Sequence, residues 1–261
     1  MFLNGMYDTL ELDTATTFNE SSGAIDGVPV TDNSIRTAAG ILMDNFDHTV
    51  PDVKVTKRLP ISGGVGGGSS DAACFINSVF NLWAMPLLEK LRYIDLFDAL
   101  GSDTKIFLYK YFTGHDNLYV LGTGLDSVPV AVPSPIRGYV VLVNNGAKLS
   151  ARAVYEAFVG PYCDEIGIND IMSQLSGDGY SKLGLSHNSL MQAAITLNPS
   201  ISAILSSIEI TAPTLYGLSG SGPTCFGIYN NLADAQSASH LLEGASHVLQ
   251  LSGKSTCRVQ G

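Results

Sequence analysis

The stretch of sequence that decides the fold reads Pro60-Ile61-Ser62-Gly63-Gly64-Val65-Gly66-Gly67-Gly68-Ser69-Ser70-Asp71-Ala72-Ala73, with five glycines and three serines. Backbone with so little side-chain cover can approach a polyanion closely. Its amide N–H groups and the positive end of a following helix then point at the same place. The stretch therefore predicts a phosphate-binding loop, with a flexible glycine- and serine-rich linker as the alternative.

The residues on either side of the loop predict a strand before it and a helix after it. Val53 and Val55 alternate with polar residues, which is typical of a half-buried strand. After the loop, Ser69 or Ser70 is suited to cap a helix, and Asp71 is favourable in its first turn. Apolar residues then recur on one helical face at Ala72, Ile76, Val79, Phe80 and Trp83. A strand and a capped helix directly beside the loop argue against a flexible linker.

Two better-known phosphate-binding loops share this strand-loop-helix plan, and the residues present exclude both. A Walker A loop requires Gly-x-x-x-x-Gly-Lys-Ser/Thr, but no lysine lies between Lys57 and Lys90. A dinucleotide fingerprint requires Gly-x-Gly-x-x-Gly, but a register that starts at Gly64 and Gly66 places Ser69 at the third glycine. A register two residues later also ends on a residue other than glycine.

The loop instead resembles the second motif of the GHMP kinases, small-molecule kinases named for galactokinase, homoserine kinase, mevalonate kinase and phosphomevalonate kinase. That motif reads Pro-x-x-x-Gly-Leu-Gly-x-Ser-Ser, and residues 60–70 match it with Val65 in place of Leu and one additional glycine. Residues 218–227 resemble the third motif of the family, a second glycine turn that lies beside the first. Matching segments extend from Asn4 to Leu242, which is nearly the whole chain.

The additional glycine and its flanking residues are most similar to the branch of this family that phosphorylates 4-diphosphocytidyl-2-C-methyl-D-erythritol. The resemblance implies ATP-dependent phosphorylation of the 2-hydroxyl of this cytidine diphosphate methylerythritol, in the non-mevalonate (MEP) isoprenoid pathway, with ATP and Mg²⁺ as cofactors. Another GHMP kinase, of the homoserine or mevalonate type, is an alternative. The family begins with a strand that carries Pro-x-Lys-x-Asn and with a Gly-Tyr-His segment. Neither occurs here, so we expect this sequence to lack the N-terminal strand, and a non-catalytic nucleotide-binding protein is a further alternative.

The resemblance also implies roles for individual residues. Residues 100–103 resemble the segment with the family's catalytic aspartate, so Asp103 is expected to accept the proton of the substrate hydroxyl or to orient that hydroxyl. Without the resemblance, Asp103 would be interpreted as a helix cap. Lys57 has two interpretations, a nucleotide contact or a solvated strand end. The expected nucleotide-binding residues are Asn33, Lys57, Pro60, Gly63, Gly64, Val65, Gly66, Gly67, Gly68, Ser69 and Ser70. The expected substrate-binding residues are Gly101, Ser102, Ser219, Gly220, Ser221 and Gly222, and no metal-ligand set is predicted.

The predicted fold class is α+β, with the two domains of a GHMP kinase. The resemblance implies a ribosomal protein S5 domain 2-like N-terminal domain over residues 1–137 and a ferredoxin-like C-terminal domain over residues 138–261. The boundary follows a proline-rich stretch at residues 128–138. Hydrophobic patterns predict helices over residues 35–43, 154–159, 190–197 and 233–242 and strands over residues 139–143 and 225–229.

Composition limits the partners that the chain can have. A net charge of −10 and a pI near 4.7 disfavour binding to nucleic acid. No apolar run approaches the ~20 residues that span a bilayer, and no signal-peptide pattern opens the sequence. Four widely spaced cysteines are typical of reduced, buried thiols. We therefore expect a cytoplasmic enzyme with a small-molecule substrate and no nucleic-acid or membrane partner, as a monomer or weak homodimer.

Overall fold

The computed structural model describes residues 3–4, 7–114, 119–121, 130–132, 138–160, 184–185, 188–251 and 258–260. The strands are β1 (Leu3–Asn4), β2 (Thr9–Thr17), β3 (Pro51–Thr56), β4 (Tyr119–Leu121), β5 (Val130–Val132), β6 (Tyr139–Val143), β7 (Gly184–Leu185), β8 (Leu215–Leu218), β9 (Cys225–Tyr229), β10 (Ala245–Leu251) and β11 (Arg258–Gln260). The α-helices are α1 (Ser34–Asn45), α2 (Gly67–Leu82), α3 (Leu87–Arg92), α4 (Ser102–Thr113), α5 (Ala151–Ala157), α6 (Met191–Leu197), α7 (Ser200–Ile210) and α8 (Leu232–Leu241). Short 3₁₀ helices span Val30–Asp32 and Ile94–Leu100.

A three-stranded sheet in the order β11-β2-β3 supports the helices that surround the glycine loop. β2 and β3 pair antiparallel, and alternate residues such as Leu10 and Val53 enter the core. α2 packs against both α1 and α4, so its apolar face is enclosed from two sides. The resulting core contains the fully buried side chains of Leu10, Ile35, Leu42, Phe75, Ile76, Val79, Phe80 and Leu108. The strand-loop-helix unit that holds the loop is therefore fixed by its own core.

The predicted apolar face of the helix after the loop is confirmed, but the predicted start of this helix is wrong. Ala72, Ile76, Val79 and Phe80 are fully buried. The N-cap is Gly66, in the left-handed conformation with φ +69°, and no side chain caps the helix. Because Gly66 can adopt this φ at little cost, the chain turns into the helix before Ser69 and Ser70 are reached. Asp71 consequently lies beyond the first turn.

The second half of the described chain is built on a six-stranded sheet in the order β1-β10-β6-β9-β8-β7. The predicted strands at residues 139–143 and 225–229 are confirmed with their predicted bounds. The predicted helices are confirmed with small shifts, the largest at α5. There Ser150 accepts a hydrogen bond from Ala153 N, so the helix begins at Ala151 rather than at residue 154. Val154 is the buried residue of that short helix.

Each end of the chain adds a strand to the sheet that is formed mainly by the other half of the chain. β1 pairs with β10 in the six-stranded sheet, whereas β11 pairs in parallel with β2 in the three-stranded sheet. Much of the proline-rich stretch at residues 128–138 lies outside the described residues, and the domain boundary there remains a prediction.

The cysteines follow the expectation only in part. The Cys225 thiol is free and buried, and burial raises its pKa to about 12. Cys74 is disulfide-bonded, so the expectation of a reduced thiol is wrong there. Cys163 and Cys257 lie outside the described residues. None of the described helices is long and apolar enough to cross a membrane.

Candidate active site

A pocket of about 330 Å³ opens where the glycine loop meets the starts of α1 and α5. Its walls contain Ile25, Val28, Asp32, Asn33, Ser34, Lys57, the continuous segment from Pro60 to Ser69, and Ala151. Of the eleven residues predicted to bind nucleotide, all except Ser70 line this pocket. Most of the lining residues therefore belong to the glycine loop, whose backbone carries N–H groups, and only Asp32 and Lys57 among them have charged side chains.

The start of α2 supplies these N–H groups in a suitable place. The first amides of an α-helix have no acceptor within the helix, and they carry the positive end of its dipole. Gly66, Gly67 and Gly68 form this start and also line the pocket. Neutral backbone donors can thus attract a polyanion in a protein with a net charge of −10.

The second glycine turn packs against the back of the first. Ser219 Oγ donates a hydrogen bond of 2.9 Å to Gly64 O, and Thr224 N donates one of 3.2 Å to Gly63 O. A Cβ atom at position 64 would lie 2.5 Å from Ser219 O and 2.6 Å from Gly222 O. The two turns therefore interlock, and this contact holds the conformation of the loop.

Two asparagines hold the second turn in place. Asn188 Nδ2 donates to Leu218 O at 3.0 Å and to Gly220 O at 2.7 Å. Asn144 Nδ2 donates at 2.8 Å to the hydroxyl of Thr224, which is fully buried. Neither asparagine was among the predicted site residues. Asn144 follows a buried strand without any motif, so only the fold brings it to the turn.

Loss of the Ser219 hydroxyl should loosen the contact between the two turns. We expect Ser219→Ala to lower the free energy of unfolding by about 1 kcal/mol, the usual contribution of one hydrogen bond. We also expect a severalfold weaker binding of nucleotide, measured by titration calorimetry. Ser207→Ala is the matched control, because the Ser207 hydroxyl bonds only within its own exposed helix turn. If Ser219→Ala and Ser207→Ala bound nucleotide with equal affinity, the Ser219 hydroxyl would not be needed to hold the loop.

Lys57 lies beneath the loop in a cluster with two carboxylates, which we call the Asp8–Lys57–Asp71 cluster. Lys57 Nζ donates to Asp71 Oδ2 at 2.7 Å and to Asp8 Oδ2. The other Asp8 oxygen accepts hydrogen bonds from Arg58 N and Leu59 N. The Lys57 side chain is only 13% exposed, so it is not a solvated strand end. The cluster joins the segment that enters the loop to the helix that leaves it.

Burial controls the protonation of this cluster. Burial, with a smaller contribution from the nearby Asp8 carboxylate, raises the pKa of Asp71 to about 7 despite the attraction of Lys57. Burial alone would lower the pKa of Lys57, but the two carboxylates outweigh it, so that pKa is raised. The Lys57 ammonium group is thus the shared ion-pair partner of two buried carboxylates. The ion pairs of Asp8 and Asp71 with Lys57 were not predicted, because Lys57 lies 49 residues from Asp8 in the chain.

Asp103 stands at the edge of the same region. It lies in the first turn of α4, its side chain is exposed, and the N-cap is Gly101 without a side-chain bond. The helix-cap interpretation of Asp103 is therefore wrong. Phe107, one turn later on the same helix face, would contact a Cβ at position 66 at 3.4 Å. Asp103, Gly101 and Ser102 do not line the pocket itself.

Asn33 has a structural role that accounts for its burial. Its side chain accepts hydrogen bonds from Ile35 N and Arg36 N and so caps α1. Its amide also donates to Gly23 O at 2.8 Å. Because Asn33 lines the pocket as well, the capped end of α1 faces the site. Within the described residues, no cluster of three or more His, Cys, Asp or Glu side chains could hold a metal ion.

Comparison with known proteins agrees with this geometry. The model of the GHMP kinases N terminal domain matches residues 33–109, and that of the GHMP kinases C terminal domain matches residues 172–243. A 4-diphosphocytidyl-2-C-methyl-D-erythritol kinase from Paramagnetospirillum magneticum is 32% identical over 250 residues, which are 93% of this chain and 83% of the relative. The chain belongs to the GHMP kinases. A kinase of the same name from Parvibaculum lavamentivorans is 31% identical, over 91% of this chain and 79% of the relative.

Solved structures of GHMP kinases share the fold of this one. A 4-(cytidine 5'-diphospho)-2C-methyl-D-erythritol kinase superposes with a TM-score of 0.67 at 22% identity, over 94% of this chain and 85% of that protein. Homoserine kinase from Cytophaga hutchinsonii gives the same TM-score at 15% identity and the same coverage. The predicted α+β GHMP kinase fold is confirmed. The equal scores mean that the backbone of this chain is as similar to one of these two kinases as to the other.

Proposed function

We propose that this GHMP kinase transfers the γ-phosphoryl group of ATP to the 2-hydroxyl of 4-diphosphocytidyl-2-C-methyl-D-erythritol, a step of the MEP isoprenoid pathway. The observation that carries the proposal is the pocket walled by the glycine loop and the start of α2, in a chain about 30% identical to kinases of that name. We further propose that it acts on this small molecule in the cytoplasm, as a monomer or weak homodimer.

The proposed residues fit the triphosphate of ATP. Residues 61–69 would hold the phosphates through backbone N–H groups, with Pro60 at the start of this segment in the pocket wall. Gly64 and Gly66 permit the turns that this requires. Lys57 lies at the wall of the same pocket and is proposed to contact the nucleotide, with its charge shared between Asp8 and Asp71. Mg²⁺, bound with ATP, would supply compensation for the negative charge that develops on the transferred phosphate.

Phosphoryl transfer depends mainly on positioning and on an acceptor for the hydroxyl proton. Asp103 is the proposed acceptor, or the group that orients the hydroxyl, since it is an exposed carboxylate on the helix face beside Gly66. Gly101 and Ser102 share its turn and would contact the substrate. The interlocked second turn, residues 219–222, keeps the loop in place during the transfer and stays a proposed part of the substrate site.

A coupled assay of ADP release tests the proposal. The acceptors are 4-diphosphocytidyl-2-C-methyl-D-erythritol, homoserine and mevalonate, each supplied with MgATP. The assay is run on this polypeptide and on one extended upstream in its reading frame. Turnover with the cytidine-containing alcohol alone would support the proposal.

Turnover with homoserine instead would favour the second candidate, which rests on the structural match to homoserine kinase. ATP binding without turnover in both polypeptides would contradict a kinase activity and leave a nucleotide-binding protein as the better account.

A further inference from the structure

The Asp8–Lys57–Asp71 cluster carries an unbalanced charge directly beside the pocket. The side chains of Asp8, Lys57 and Asp71 are only 1%, 13% and 4% exposed, so water screens them poorly. With both carboxylates ionised the cluster has a net charge of −1, and with one of them protonated it is neutral. The protonation of one carboxylate therefore sets the charge of this part of the wall.

The cluster is close enough to the loop for that charge to act on a bound anion. Lys57 lines the pocket, and its Nζ would lie 3.4 Å from a Cβ placed on Gly67, the first residue of α2. Asp71 Oδ2 is 2.7 Å from that ammonium group. Buried charges at such separations interact far more strongly than charges in water.

Among the described residues, Lys57 and Asp8 are the two charged groups that act on the carboxyl group of Asp71. On the neighbouring helices, Arg36 of α1 donates to Glu20 O, Lys90 of α3 donates to Asn77 and Asn81, and Lys105 of α4 pairs with Asp95 and Asp98. Lys110 of α4 is buried. Asp103 of α4 is exposed at the start of its helix.

We propose that Asp71 is a positioning residue that sets nucleotide affinity through Lys57, by taking up one proton from solvent when the phosphates bind. The inference rests on the proposed nucleotide site. A bound polyanion is repelled by the cluster with charge −1 and not by the neutral cluster, so binding favours the protonated carboxyl group. The proton adds to an Asp71 carboxylate oxygen, and no other bond is made or broken.

The direction of the pH dependence follows from this linkage. Because burial raises the pKa of Asp71 to about 7, the cluster of the free protein is largely neutral below pH 7 and largely charged above it. Bound phosphates raise that pKa further. Affinity for MgATP should therefore be highest below pH 7 and should fall as pH rises through the pKa of the free protein. A further shift of about one unit corresponds to a loss of about tenfold.

Titration calorimetry with MgATP, from about pH 6 to about pH 8.5, tests the proposal on the full chain. We expect the wild-type Kd to rise by roughly five- to tenfold over this range. Asp71→Asn keeps the shape and an acceptor for Lys57 but cannot ionise, so its Kd should stay flat and lie below the wild-type Kd at high pH. The ratio of the two Kd values at each pH cancels the titration of ATP itself. Asp44→Asn, on the exposed face of α1, should follow the wild type.

A second measurement does not depend on the variant. The binding enthalpy of the wild type is measured above pH 7 in buffers with different ionisation enthalpies, and its slope counts the protons taken up. We expect a fraction of one proton. Zero uptake, or an equal pH dependence in wild type and Asp71→Asn, would overturn the role of Asp71 while leaving the nucleotide site intact. Absence of MgATP binding at every pH would overturn the nucleotide site and this inference together.

Discussion

Asp103→Asn is expected to lower kcat by on the order of 10²- to 10⁴-fold, the range of a lost general base, with the KM for MgATP changed little. The amide has nearly the shape of the carboxylate but cannot accept the proton of the hydroxyl. Asp103 is exposed in the first turn of α4 and has no capping bond to lose, so the free energy of unfolding should stay close to that of the wild type.

The measurement is steady-state ADP release with MgATP and 4-diphosphocytidyl-2-C-methyl-D-erythritol, together with calorimetric binding of each ligand. Asp44→Asn serves as the matched control, since it replaces an exposed helical aspartate that is distant from the pocket lining. Full turnover in Asp103→Asn, with binding of both ligands retained, would show that Asp103 has no catalytic role. A pH–rate profile whose acidic limb disappears in the variant would favour proton acceptance over mere orientation.

Gly64→Ala is expected to lower kcat/KM for MgATP by about 10²-fold, because it displaces the loop that positions the phosphates. The residue has φ +70°, and a Cβ atom there would lie 2.5 Å from Ser219 O and 2.6 Å from Gly222 O. The left-handed conformation costs a non-glycine residue about 1–2 kcal/mol, and overpacking adds about 1–3 kcal/mol. The loop and the second glycine turn must therefore move apart.

Activity and thermal unfolding are compared with those of Gly40→Ala. A Cβ atom at position 40 of α1 would have no neighbour within 4 Å, so this control should keep its activity and gain up to about 1 kcal/mol of stability. If Gly64→Ala bound nucleotide as well as the control, the contact between the two glycine turns would not determine the loop conformation.

The elements that sequence patterns predicted are those with strong local signals. Alternation of apolar residues predicted β3, and the helical spacing of Ala72, Ile76, Val79 and Phe80 predicted the buried face of α2. These patterns depend only on the geometry of one strand or one helix, so they can be recognised without tertiary structure. The predicted start of α2 was wrong because a left-handed glycine, rather than a serine side chain, occupies the N-cap position.

Side-chain contacts between residues that are distant in the chain were not predicted. Asn144 bonds to Thr224, 80 residues away, and Lys57 bonds to Asp8, 49 residues away. Each is a polar residue without a distinctive local pattern, and only packing brings it to its partner.

The sequence by itself determined that this chain carries the two glycine turns of a GHMP kinase, in order, on an α+β scaffold. Glycine content, apolar spacing and motif order are properties of neighbouring residues, and they survive in the linear chain. The resemblance implied that the second turn lies beside the first, but only the tertiary structure decided which atoms join them. Only the tertiary structure also decided that one buried ammonium group is shared by Asp8 and Asp71 beneath the loop. The physical reason is that burial and close approach across many residues set both the shape of the loop and the charge beside it.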